Sequence, residues 1–332
     1  MDAPYYRRTQ RPICNHLLLL CNTSQNFCVN RYMIRFKPIY FLFFFFVLPY
    51  FSFGQKEQAT PPPPNPNLDS LKARELRLRD LGDSMTQGIT QTRRIYCLKK
   101  YIPLLVKTLE IPGAYDYPFD SLKFMNILEP DDKSFRLLNW SLKYNDGSYR
   151  YYGAIWMKSD GPLKLIPMRC DTGSYDVYDI DTLITGTDPW IGALYYKMIT
   201  EKVKNKTYYV LLGWDGFNYL SDRKFIDVLS FDENGKPHFG APIFDVKGKI
   251  QDRIVFYFSG NVTMALKYIP EYNIITFDHL VPPNPANEGN LFSYITDGSY
   301  DFLQLKKGKW VWTDDLFINF KKPIKEAGST GE

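Results

Sequence analysis

Apolar residues follow two rhythms along this chain. From Asn67 to Leu109 they recur at helical spacing: Leu68, Leu71, Leu78 and Leu81 share one face of a strongly charged first helix. Ser84 and Gln87 stand at capping-box spacing, which predicts the start of a second helix carrying Met85, Ile89, Thr92 and Tyr96 in line. Pro103 suits the first turn of a third, short helix, and Ile111-Pro112-Gly113 ends it. Ser121 to Leu128 predicts one more helical turn before Pro130.

After Asp131 the period drops to two. Leu138, Trp140 and Leu142 alternate with Asn139, Ser141 and Lys143, and Val262, Met264, Leu266 and Tyr268 alternate with Thr263, Ala265 and Lys267. One apolar face at that period marks a half-buried antiparallel strand. Turn signals punctuate the runs at Asp146-Gly147, Asp160-Gly161, Asp215-Gly216, Asn234-Gly235, Asp297-Gly298 and Lys307-Gly308. Asn145-Asp146-Gly147-Ser148 is the clearest hairpin. Further strands are predicted at 149–157, 163–167, 192–203, 207–214, 224–231, 253–258, 273–277, 300–305 and 309–312. Roughly ten strands with no amphipathic helix between them predict a mainly β fold, an antiparallel sandwich, barrel or meander, with a small helical N-terminal segment.

The run Ile39 to Phe53 is a third pattern: an apolar, phenylalanine-rich core behind the basic head Arg35–Lys37, closed by Ser52-Phe53-Gly54. That is the layout of a secretory signal peptide cut after Gly54. With only about 15 apolar residues, interrupted by Pro49, it falls short of the roughly 20 a spanning helix needs, so no transmembrane helix is expected to be retained. The expected organisation is therefore an upstream extension over 1–32 with translation starting at Met33, a signal peptide over 33–54, a proline-rich linker over 55–67, a helical segment over 68–130, an antiparallel β domain over 131–320 and a polar tail over 321–332.

Charge follows the leader. Six basic residues (Arg7, Arg8, Arg11, Arg31, Arg35, Lys37) and Asp2 account for the whole formal net charge of +5. The remainder is neutral, with no basic face interleaved with aromatics, so nucleic acid is not an expected partner. Cys14, Cys21 and Cys28 recur at intervals too long for paired zinc ligands. Two cysteines follow the leader, Cys97 and Cys170. In an oxidising compartment they either pair, stabilising by roughly 4 kcal/mol on the chain-entropy view, or stay as buried thiols.

Candidate chemistry is thin. Cys170-Asp171-Thr172-Gly173-Ser174 resembles the active-site loop of aspartic peptidases, where two aspartates share a proton. Arg169 stands where that pattern has an apolar residue, and the chain has no second Asp-Thr/Ser-Gly, so Asp171 would need a homodimer. The acidic run through Asp176, Asp179 and Asp181 lacks the glycine and glutamate of an EF-hand loop. No metal and no cofactor is expected. Beyond the leader there are only His238 and His279, and no zinc, serine-hydrolase or phosphate-loop motif. A glycoside hydrolase needs only two carboxylates, and Asp215, Asp222 and Asp227 are the candidates. Aromatic residues make up 17% of the chain, and Trp156, Trp190 and Trp214 are candidate sugar platforms. Trp310 and Trp312 share a strand face and read as core. Asp-Ser/Thr-apolar triplets at Ser70, Ser84, Ser121 and Thr182 look like bacterial O-glycosylation acceptors.

A phenylalanine-rich leader ending Ser-Phe-Gly before Gln55 resembles the exported proteins of Bacteroidota. The β-rich remainder, including Phe135-Arg136-Leu137-Leu138-Asn139-Trp140 before a glycine-centred hairpin, is similar to uncharacterised secreted proteins of that phylum. The resemblance implies a periplasmic, outer-surface or extracellular setting and carries no catalytic residues. The expectation is a non-catalytic binding or structural module of the envelope, whose partner would be a glycan or an envelope protein. The alternative is a carboxylate-based glycan hydrolase.

Overall fold

The computed structural model describes residues 66–170, 180–203 and 205–320. The expected leader, linker and tail lie outside these, as does Asp171.

Two helices open the described chain, α1 (Leu68–Gln87) and α2 (Gln91–Leu109). Leu71, Leu78 and Met85 are buried along α1. Between them, Gly82 lies under the Phe124 ring, 1.9 Å from where a Cβ would stand. Among the described residues there are two long helices rather than three. Ser84 sits in the last turn of α1, and its carbonyl accepts the Gly88 amide. The cap of α2 is Thr90, whose hydroxyl accepts the Arg93 amide at 3.2 Å. Ile89, expected on a helix face, is 97% exposed in the link. Pro103 lies inside α2, on its exposed side, where water can reach the carbonyl its ring leaves without a partner.

Among the described residues fifteen strands follow. The first sheet has the order β1 (Asn126–Leu128), β2 (Phe135–Lys143), β3 (Tyr149–Met157), β4 (Lys164–Arg169). β1 replaces the helical turn expected near Ser121–Leu128. It precedes Pro130 yet pairs with β2, so the helical and β segments share a sheet. The central sheet runs β11 (Ile254–Ser259), β7 (Ser221–Phe231), β6 (Lys206–Asp215), β5 (Leu194–Val203), with β8 (Pro237–Phe239) on β7. The third sheet runs β10 (Lys249–Gln251), β9 (Phe244–Val246), β15 (Lys309–Thr313), β14 (Ile295–Lys306), β13 (Ile274–Val281), β12 (Leu266–Ile269). Its β15–β9 pairing is parallel, so it is mixed. Among the described residues no barrel closes.

The layers stack in sequence order around three cores. α1 and α2 cover one face of the first sheet, burying Leu138, Trp140, Leu142 and Trp156 with Leu98, Tyr101 and Leu105. Its other face (Phe135, Leu137, Tyr151, Ile155) meets Tyr195, Tyr209, Leu211, Phe225 and Leu229 of the central sheet. The opposite side of the central sheet (Val210, Leu212, Ile226, Val228, Phe256) meets Ile275, Phe277, Leu303 and Trp310 of the third. The central sheet is thus apolar on both faces, and β6 reads as a continuous hydrophobic run instead of the alternation of a half-buried strand.

The β2–β3, β7–β8 and β14–β15 turns form where Asp-Gly, Asn-Gly and Lys-Gly predict them, with Lys307 and Gly308 both at positive φ (50° and 80°). Asp297-Gly298 is different. It sits inside β14 as a bulge opposite His279, its carboxylate accepting the Ser299 amide at 2.9 Å. The alternation expected from Val262 yields strand only from Leu266, because the Asp278 carboxylate takes the Ala265 amide at 2.7 Å.

Candidate functional site

The three candidate acids lie on β6 and β7 and divide between two faces. Asp215 and Asp227 point toward the first sheet, and both are buried. Asp215 is held by Arg223: Nε donates at 2.8 Å, and a second guanidinium N–H reaches the same oxygen. Its other oxygen accepts the Tyr151 hydroxyl at 2.7 Å, and that hydroxyl accepts the Gly216 amide at 2.9 Å. The guanidinium lies 4.1 Å from the centre of the Phe217 ring.

Asp227 accepts from Arg253 Nε at 3.1 Å and from the Tyr195 hydroxyl at 2.7 Å. Trp190 Nε1 donates to that hydroxyl at 3.3 Å. The remaining donors of Arg253 reach the carbonyls of Ile180, Leu183 and Phe239. These clusters are closed internal networks, which fix strands rather than meet a ligand.

Asp222 faces the third sheet, with Trp214 diagonally across on β6. Trp214 Nε1 donates to its carboxylate at 3.3 Å. Tyr149 stands edge-on to Trp214, ring centres 5.0 Å apart, with the Lys143 ammonium 5.6 Å from the Tyr149 ring. Burial, then the negative charge of Asp215, pushes the Asp222 carboxyl above the usual carboxylate range, and the indole donor opposes the shift.

Lys224 is the cross-strand partner of Trp214 on this face. Its ammonium sits 4.8 Å from the centre of the Tyr196 ring, and burial lowers its pKa. Tyr196 is the extra residue of a bulge in β5, which turns its ring onto this face; its hydroxyl donates to the Leu266 carbonyl at 3.0 Å. Lys224 and Tyr196 line a cavity of about 490 Å³, closed on its other side by Thr263–Lys267, Asp278 and Tyr300.

None of the three candidate platforms lines this cavity; Trp214 comes nearest, as the cross-strand neighbour of Lys224. Trp190 is fully buried in the core between the first and central sheets, and Trp156, 4% exposed, fills the core beneath the helices against Tyr115. Cys97 and Cys170 are both free. The first sheet separates them, Cys97 lying on its helical side and Cys170 on its central-sheet side. Burial pushes the Cys170 thiol up to about 11, and its Sγ donates to the Ile191 carbonyl at 3.4 Å.

No protein-family model matches this chain, and no curated protein matches it either. The geometry therefore stands by itself. Among the described residues no cluster of three or more metal-ligating side chains occurs, and no helix is long and apolar enough to cross a membrane. Asp181 accepts from Gln251 Nε2 at 2.8 Å. His279 Nδ1 lies 2.8 Å from the buried carboxylate of Asp301, and His238 lies 3.3 Å from Asp232.

Sequence reasoning missed Arg223, Arg253, Lys224 and Tyr196. The available signal was a set of charged residues inside otherwise apolar strands, Asp222-Arg223-Lys224 and Asp227 above all. Charge at such positions calls for a partner or a ligand. The cavity offers the Lys224 ammonium, the Asp278 carboxylate and two tyrosines, with the half-buried Trp214 indole and Asp222 next to Lys224 on the adjoining strands.

Proposed function

We propose that this chain is an exported, non-catalytic binding module of the envelope or extracellular space, and that it holds a glycan across Trp214, Asp222 and the neighbouring cavity that Lys224 lines. The observation that carries the reading is the indole of Trp214 hydrogen-bonded to Asp222 beside a cavity of ligand size. Aromatic rings cover the apolar faces of sugars, and carboxylates accept their hydroxyls. Asp215 and Asp227 add support, since each is already committed to an arginine and a tyrosine inside a core. Export rests on the leader motif alone.

The test is titration calorimetry of the processed protein against a panel of soluble oligosaccharides. Binding to at least one is expected, with Trp214→Ala weakening it tenfold or more at an unchanged thermal midpoint. Binding that Trp214→Ala leaves intact would refute the assignment.

One observation favours the hydrolase as a second reading: Asp222 has a raised pKa, as a general acid requires. Release of reducing ends from a polysaccharide, abolished by Asp222→Asn, would establish it.

A further inference from the structure

From the charges around the cavity we infer that the site selects anionic sugars, those bearing a carboxylate or a sulfate ester, and that Lys224 is the residue that reads the charge. The inference rests on the glycan-binding reading and adds the class of ligand.

The cavity is lined by one carboxylate, Asp278, and two lysines, Lys224 and the exposed Lys267. Asp278 accepts the Ala265 amide at 2.7 Å. Asp222 accepts the Trp214 indole at 3.3 Å. The Lys224 ammonium has no hydrogen bond and no ion pair among the described residues; Asp222 acts on it only through its field. The ammonium lies 4.8 Å from the centre of the Tyr196 ring.

A lysine held half out of water without an acceptor is a standing demand for an anion. An entering carboxylate or sulfate would replace the water that burial removed, and in this low-dielectric setting a charge-assisted hydrogen bond is stronger than in bulk water. The Tyr196 hydroxyl cannot donate to the ligand while it donates to the Leu266 carbonyl. Its role is to hold the ring under the ammonium. The volume of about 490 Å³ falls within the ~300–1,000 Å³ of small-molecule sites and suits one or two sugar rings. Trp214 and Asp222, beside the opening, would meet the next unit of the chain.

The experiment compares three soluble ligands on the processed protein: oligogalacturonate, a sulfated oligosaccharide and a neutral dextran oligomer. Binding of the anionic ligands at least tenfold tighter than the neutral one is expected, with affinity falling as salt is raised. Preference between the first two separates carboxylate from sulfate as the group read. Lys224→Met should remove the anionic advantage, and Lys224→Arg should restore most of it; Trp214→Ala should weaken every ligand. Equal binding of neutral and anionic ligands, or an anionic preference that survives Lys224→Met, would overturn the inference while leaving the glycan-binding reading intact. Binding of none of the three, with none in the wider panel, would overturn both. If Lys224→Met does not fold, the ligand comparison and salt series on the unsubstituted protein still decide the matter.

Discussion

Replacing Arg253 with methionine removes one guanidinium from the wall of a closed core, and the cost follows from its contacts. The side chains of Arg253 and Asp227 are 0% and 1% exposed. Without the arginine, the Asp227 carboxylate keeps only the Tyr195 hydroxyl and the Val228 amide, and the carbonyls of Ile180, Leu183 and Phe239 lose the donor they share. Removing one partner of a buried pair costs about 3–5 kcal/mol, because the other charge is stranded. Against a total stability of about 5–15 kcal/mol this is a large fraction. With a urea slope of about 2–3 kcal/mol/M the midpoint should fall by about 1–2 M. Trp190, inside the network, makes tryptophan fluorescence a direct reporter. Adding Asp227→Asn should recover part of the loss, since the stranded charge is gone, and the double-mutant cycle should show coupling above about 1 kcal/mol. Arg79, exposed beside Asp80, is the control, with an effect under about 1 kcal/mol on replacement by alanine. An Arg253→Met midpoint indistinguishable from that control would refute the reasoning.

Three further outcomes are expected. Gly192→Ala should destabilise by about 1–3 kcal/mol, because φ is +89° there and a Cβ would stand 2.3 Å from the Cys170 sulfur; thermal unfolding measures it. Asp222 has a folded pKa above its unfolded value, so the folded state binds the proton more tightly and stability is lost as pH rises through that pKa. Asp222→Asn should therefore be more stable than the parent at pH 7 and lose that advantage in acid, and a pH-independent difference would count against the assignment. Alkylation of the denatured, unreduced protein followed by peptide mapping should label Cys97 and Cys170 separately, whereas a linked peptide would contradict the free thiols.

The hairpins and long strands were legible because alternation and Asx-Gly turns are local signals. β3 spans the expected Tyr149–Met157. The helix boundary was not, because capping-box spacing at Ser84 and Gln87 also occurs inside a helix, while the working cap, Thr90, is followed three residues later by Arg93. Strands of three residues such as β8, β9 and β10 carry too few positions to show a period. At the site, Trp214 and Asp222 were visible as candidates. Their separation from Asp215 and Asp227 was not, since it depends on which face of a doubly covered strand each residue takes. Trp156 and Trp190 misled for the same reason: an aromatic residue looks alike in sequence whether its ring fills a core or lines an opening.

The doubly covered central sheet has lost the contrast that ordinarily sets strand alignment. In a half-buried strand, sliding by one residue drives its oily side into solvent. In β6, where Leu211 serves one core and Leu212 the next, the same slip would trade leucine for leucine at little cost. A slip of β7 would instead carry Arg223 and Asp227 into the wrong interior, away from Asp215 and Arg253. The two ion pairs therefore act as alignment pins, and a variant lacking both is expected to sample shifted pairings even where its overall stability survives.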